Sequence, residues 1–236
     1  MRIDILTLFP EMCERVLDES IIGQARRKGL VDIRCHNIRD YTDDKHRRVD
    51  DYPYGGGQGM LLKAEPIAAC FDAIARQVDK KPLYIYMSPQ GEVFRQSIAC
   101  EFAEMDNICI LCGHYEGVDD RLIEQYIDRQ ISLGDFVLTG GELAALAVTD
   151  AVARLLPGVL SESTSFEDES HYSGLLEYPQ YTRPAVWRGM QVPEVLTSGN
   201  QRMIEQWKRQ KSMEVTARLR PDMLEKYTQS DSEGVE

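Results

Sequence analysis

The sequence predicts an α/β protein built on a largely parallel sheet, followed by a smaller, basic helical module. Three observations carry this expectation. Short apolar runs alternate with segments of helical spacing through the first two-thirds of the chain. A polar, acidic stretch without apolar periodicity follows at 161–173. Beyond it the helical segments are rich in Arg and Lys.

In chain order, residues 3–8, 31–38, 83–87, 108–112 and 136–138 read as strands, each a short apolar run. Residues 11–27, 64–77, 94–104 and 119–126 have helical spacing between them. Strands alternating with helices favour parallel pairing, with both faces of the sheet covered. Residues 142–156 form a further Ala- and Leu-rich helix, with Pro157-Gly158 as its stop. Residues 161–173 read as a flexible linker, and 199–211 and 213–219 as helices of the second module. After Pro221 the chain turns polar and acidic and is expected to fray. The domain boundaries that follow are 1–160, a linker at 161–173, and a C-terminal helical domain at 174–236.

Composition narrows the function. Net charge over the 236 residues is −12, which argues against indiscriminate nucleic-acid binding. The charge is uneven: eight basic side chains stand against three acidic ones between Arg183 and Arg220, and Lys45-His-Arg-Arg48 forms a second basic cluster. A specific polyanion partner fits that pattern. No apolar run approaches bilayer length, and the N-terminus lacks the pattern of a signal peptide, so a cytoplasmic location is expected. The six cysteines sit mostly among apolar residues, as reduced thiols do. Cys109-x-x-Cys112 looks like half of a metal site. On a strand, however, residues three apart face opposite ways, and no second half-site exists, so no metal is expected.

Three strand ends carry glycine turns. One comprises Tyr86, Met87, Ser88, Pro89, Gln90 and Gly91; the second comprises Gly113, Tyr115, Glu116 and Gly117. The third runs through Leu133, Gly134, Asp135, Phe136, Val137 and Leu138 to Gly140 and Gly141. Loops beyond the carboxyl ends of parallel strands line ligand crevices, and glycine admits a flat ligand close to the backbone. The familiar fingerprints are missing. Residues 54–60 (YGGGQGM) match neither a phosphate loop nor G-x-G-x-x-G, and serine-hydrolase and zinc-hydrolase signatures are lacking.

The blocks at 44–60 (DKHRRVDDYPYGGGQGM), 87–91 (MSPQG), 112–119 (CGHYEGVD), 132–142 (SLGDFVLTGGE) and 174–184 (GLLEYPQYTRP) occur in an order that resembles the bacterial tRNA (guanine-N1)-methyltransferase family, TrmD. The resemblance runs from Met1 to about Arg220. It implies a SPOUT-type α/β domain with a deep trefoil knot, a homodimer with a composite active site, and S-adenosyl-L-methionine as methyl donor. The implied substrate is tRNA, methylated on the guanine just 3′ of the anticodon (position 37). The resemblance places the donor against the three glycine turns, with Glu116 near its ammonium group. It assigns Arg154 to charge developing on guanine O6. For the carboxylate that removes the N1 proton it leaves two residues. The ungapped count back from Gly174 gives Glu169, the chemical type gives Asp168 one place earlier, and His171 is a third candidate. Residues 183–220 would hold the tRNA backbone, and Lys45–Arg48 with Gly55–Gly57 would border the target base. Two other readings stay open: a knotted methyltransferase of ribosomal RNA, which would share the donor turns, and a non-catalytic RNA-binding factor.

Overall fold

β1 (Arg2–Thr7) begins the computed structural model, which describes residues 1–160 and 169–233. The chain divides into two units, Met1–Ser163 and Thr164–Glu236. Every residue of β1 is buried, charged ones included. The Arg2 guanidinium grips the Asp4 carboxylate through two 2.8 Å bonds, and His36 Nε2 lies 2.7 Å from the same carboxylate. Pairing of this kind is what a central strand needs before it can hold a charge.

The expected helix at 11–27 is two helices, α1 (Pro10–Leu17) and α2 (Ser20–Arg27), broken where Ser20 adopts φ +53°. β2 (Asp32–Asn37) follows, then the small antiparallel pair β3 (Asp50–Asp51) and β4 (Leu61–Leu62), and α3 (Ala64–Ala75). β5 (Leu83–Val93) is longer than expected, so the first glycine turn is a strand carrying an irregularity rather than a strand end. Its register on the neighbouring strand jumps between Met87 and Glu92, both opposite Ile131. α4 (Gln96–Ala103), β6 (Asn107–Cys112) and α5 (Asp120–Tyr126) come next, α5 being capped by the Asp119 carboxylate on Arg121 N–H. β7 (Arg129–Ser132) replaces the strand expected at 136–138, and α6 (Glu142–Ala153) closes the unit.

The five long strands lie in the order β2-β1-β6-β5-β7, and every pairing among them is parallel. Both faces are covered, as a parallel sheet requires. One apolar layer joins Ile5, Ile85, Ile110 and Cys112 to Phe102 and Val148 from the helices. The other joins Leu6, Tyr84, Cys109 and Leu111 to Ile67, Phe71 and Leu122. Cys109 and Cys112 therefore face opposite layers, and burial pushes both thiols well above the usual range.

In the second unit a hairpin pairs β8 (Val186–Trp187) with β9 (Met190–Gln191) across Arg188 and Gly189, both at positive φ. α7 (Glu194–Thr197) is short. The two helices expected at 199–211 and 213–219 are one, α8 (Gln201–Leu219), started by the Asn200 side chain on Met203 N–H. The tail expected to fray is helical as α9 (Pro221–Glu233), with proline in its first turn. Among the described residues no helix is long and apolar enough to cross a membrane.

Candidate functional site

Three parallel neighbours, β6, β5 and β7, send their chains toward the same rim of the sheet. A cleft of about 240 Å³ opens there. From β5 it takes Tyr86, Met87, Ser88 and Pro89. From the loop after β6 it takes Gly113, His114, Tyr115, Glu116 and Gly117. The loop after β7 supplies Leu133, Phe136, Val137, Leu138, Gly140 and Gly141. The structure thus brings the three glycine segments to one place, which chain order alone does not require.

Four of the expected cofactor contacts stand outside the lining. Gln90 is exposed, and its N–H donates to Ser88 Oγ at 3.2 Å. Gly91 backs onto β7, where an added Cβ would lie 2.4 Å from Gln130 C and Ile131 N. Gly134 shapes the loop instead of facing the cleft: at φ +149° its carbonyl accepts from Phe136 N–H at 2.9 Å and from Ser132 Oγ at 3.0 Å. Asp135 is exposed.

Backbone hydrogen bonds fasten the loops to one another. Gly141 N–H donates to Gly113 carbonyl oxygen at 2.8 Å, and Glu116 N–H to Met60 carbonyl oxygen at 3.0 Å. Gly141 is obligatory for sterics, and Gly59 packs against the Glu116 side chain. A Cβ on Gly141 would sit 2.7 Å from Cys112 Cα, and one on Gly59 would sit 2.4 Å from Glu116 Cγ. The glycine-rich run at 54–60 is therefore held beside the Glu116 loop. In that run Gly55, Gly56 and Gly57 all have positive φ, and Tyr54 is fully exposed. Earlier in the chain, Asp44 Oδ1 accepts from His46 and Arg48 N–H and pairs with Arg48, which holds its carboxyl far below the usual range. Arg47 pairs with Asp40.

The cleft wall is unusual for a surface. Phe136, Val137 and Leu138 are 55%, 79% and 38% exposed, an apolar strip left facing outward. The 113–117 and 139–141 loops line the rest of the cleft. That combination suits a flat, mostly apolar ligand with polar edges. Three lining residues stand outside the expected segments, Ile131, Ser132 and Ala144, while His114 and Thr139 lie within them without being singled out as contacts. Of the three, Ser132 directly precedes the third segment and was visible by position. Ile131 and Ala144 are buried members of one apolar layer, and only the fold brings them to the cleft. Among the described residues no three His, Cys, Asp or Glu side chains gather as metal ligands would.

The remaining expected residues lie elsewhere. Arg154 ends α6, its N–H donating to Asp150 carbonyl oxygen at 3.1 Å. Counted from Ala144, the last α6 residue in the lining, and at a rise of about 1.5 Å per residue, it stands roughly 15 Å along the helix from the cleft. Asp168 falls outside the described residues. Glu169 and His171 belong to the second unit, in a turn where Glu169 carbonyl oxygen accepts from Tyr172 N–H and Ser170 Oγ from Glu177 N–H. His171 has φ +73°. In the same unit Tyr178 and Tyr181 each approach Trp207 to 6.4 Å between ring centroids, Lys208 sits 4.8 Å over Tyr178, and Arg188 lies over the exposed Trp187.

Comparison with known proteins adds a family. A family model described as tRNA (Guanine-1)-methyltransferase TrmD matches residues 1–226. A protein of Ruminiclostridium cellulolyticum named tRNA (guanine-N(1)-)-methyltransferase is 54% identical over 226 residues, covering 96% of this chain and 97% of its own. Proteins of the same name from Lachnospira eligens and Dehalococcoides mccartyi are 50% and 53% identical, each over 99% of this chain and over 99% and 94% of their own.

Proposed function

The chain belongs to the TrmD family of tRNA (guanine-1)-methyltransferases, and from that premise we propose that it methylates N1 of the guanine just 3′ of the tRNA anticodon, in the cytoplasm, with S-adenosyl-L-methionine as donor. The observation that carries the proposal is the meeting of three glycine segments around one cleft with an outward-facing apolar strip. The lining fits such a donor. Phe136, Val137 and Leu138 offer a face to an adenine ring, and main-chain groups at 113–117 and 139–141 can meet its polar edge. Glu116 is the carboxylate at the cleft able to pair with an ammonium group. When bound, the donor would supply an electrophilic methyl group on a sulfonium.

What the chain must add is a nucleophilic N1, since in neutral guanine that nitrogen carries a proton. A carboxylate from the 161–173 segment, Asp168 or Glu169, takes the proton, and Arg154 offsets the charge that develops on O6. Arg154 stands at the far end of α6 from the cleft of its own chain, which supports a site completed by a second copy. An outward apolar stripe supports the same homodimer: Phe9, Met12 and Val16 recur at helical spacing, 41%, 42% and 54% exposed, with Leu143 at 53% on α6. The C-terminal unit, with its basic side chains and exposed aromatic rings, holds the tRNA. The deep trefoil knot of SPOUT proteins belongs to the same proposal.

The deciding experiment supplies labelled S-adenosylmethionine and a tRNA bearing guanine after the anticodon. Label should enter that tRNA and not one with adenine in its place; transfer to both overturns the assignment. Asp168→Ala and Glu169→Ala, made singly, separate the base: one should cost about 10²-fold or more in kcat while donor affinity is kept.

A further inference from the structure

One buried polar atom of the cleft has no use in that mechanism. His114 lines the cleft, yet its Nδ1 is buried and makes no hydrogen bond. The ring is braced edge-on by Phe9, with centroids 5.2 Å apart, and by Tyr115 at 4.8 Å. Across Gly140 stands Glu142, a carboxylate only 4% exposed. A Cβ built on Gly140 would lie 2.9 Å from His114 Nδ1 and 2.4 Å from Glu142 Oε2, so the two polar atoms flank one glycine with no side chain between them. The other carboxylate oxygen accepts from Thr7 Oγ1 at 2.7 Å, and Thr7 Oγ1 in turn accepts from Phe9 N–H at 2.9 Å. The acid is thereby fixed at the end of β1, in the sheet's interior, while His114 rides on the cleft loop.

We propose that Glu142 is a positioning residue: with a ligand in the cleft, its Oε2 accepts the Nδ1 proton of His114 beside Gly140, locking the 113–117 loop to the start of α6. The carboxylate can only accept, so it selects the tautomer with hydrogen on Nδ1. Glycine at 140 leaves the gap through which the bond forms. The consequence is for Tyr115 and Glu116, which follow His114 directly and face the ligand. A free imidazole lets them drift, and a bound one holds them in register. This inference rests on the reading of the cleft as the donor site and adds a part that the reading does not contain.

The full-length protein with ¹⁵N-labelled histidine, saturated with S-adenosylhomocysteine, tests it by NMR. Wild type should carry the His114 proton on Nδ1. In Glu142→Gln the amide keeps its oxygen for Thr7 and presents N–H to the ring, so the proton should move to Nε2. The same tautomer in both proteins overturns the latch. Affinity gives a second readout. His114→Asn, whose amide nitrogen replaces Nδ1, should bind S-adenosylhomocysteine within about threefold of wild type, and His114→Phe should lose about tenfold or more. Equal affinity of His114→Phe and wild type also overturns it. Should the wild type itself bind no S-adenosylhomocysteine, the donor reading falls and the latch with it, whereas tight wild-type binding with an unmoved proton refutes the latch alone.

Discussion

Gly141 has no room for a methyl group, because the atoms a Cβ would strike, Cys112 Cα and Gly113 N, are backbone at 2.7 and 2.8 Å. Its φ of −81° is open to any residue, so collision alone sets the cost. Gly141→Ala should lose about 1–3 kcal/mol of stability and separate the 113 and 141 loops, abolishing donor binding. Gly29→Ala is the control. At φ +70° with nothing within 4 Å it meets only backbone strain, on the order of 1 kcal/mol, and donor binding should not change. Calorimetric titration of the two variants checks this, and comparable donor affinity in both would contradict it. The cysteines make a second residue-scale case. With burial holding the Cys109 and Cys112 thiols protonated, iodoacetamide at neutral pH should leave both unmodified until the protein is unfolded. Labelling of either in the native state would be inconsistent with their places on opposite faces of a buried strand.

At the scale of elements, the segment 133–139 is the instructive one. Its apolar run at 136–138 reads as a strand because hydrophobicity usually means burial. Here the run is exposed and irregular, and the strand is the more polar Arg129–Ser132 beside it. Arg129 tolerates the sheet edge by pairing with Glu92 and Glu101. Since Phe136 supports little of the core, Phe136→Ala should change stability by no more than about 0.5 kcal/mol. If its ring faces the donor, affinity should nonetheless fall about tenfold. A melting-temperature loss without an affinity loss would make Phe136 a packing residue. α8 shows the opposite error, where a helix is longer than its sequence suggests. Ser212 reads as a break between two helices, yet its carbonyl oxygen accepts from Thr216 Oγ1 at 2.7 Å, and the same hydroxyl receives Leu176 N–H at 2.9 Å. A tertiary contact carries the helix through a residue of modest propensity.

For the whole molecule, the separation of Arg154 from the cleft of its own chain makes complementation the strongest test. Glu116→Ala and Arg154→Ala should each be nearly inactive alone. Mixed dimers then rebuild one intact site only if Arg154 serves the partner's cleft, restoring roughly a quarter of wild-type turnover in an equal mixture. No recovery on mixing would place Arg154 in its own subunit's chemistry or outside the chemistry altogether. The proposed homodimer predicts, in turn, that Val16→Lys, which introduces charge into the exposed stripe, shifts the protein toward monomer by light scattering and lowers turnover with it, and an unchanged mass would contradict that homodimer.

Sequence by itself determined the alternation of strands and helices, the three glycine segments, the uneven charge and the family blocks, because each is written in local residue pattern. It also determined that Cys109 and Cys112 face opposite sides of one strand, since strand geometry is local. Only the tertiary structure decided that the three segments meet at one rim, that Gln90 and Asp135 stand outside the cleft, and that the run at 136–138 is a wall rather than a strand. It alone set Glu142 and His114 on either side of Gly140. The physical reason is one of range. Periodicity reports which face of an element is apolar, but which loops share a rim depends on parallel pairings between strands far apart in the chain, and no local pattern encodes that order.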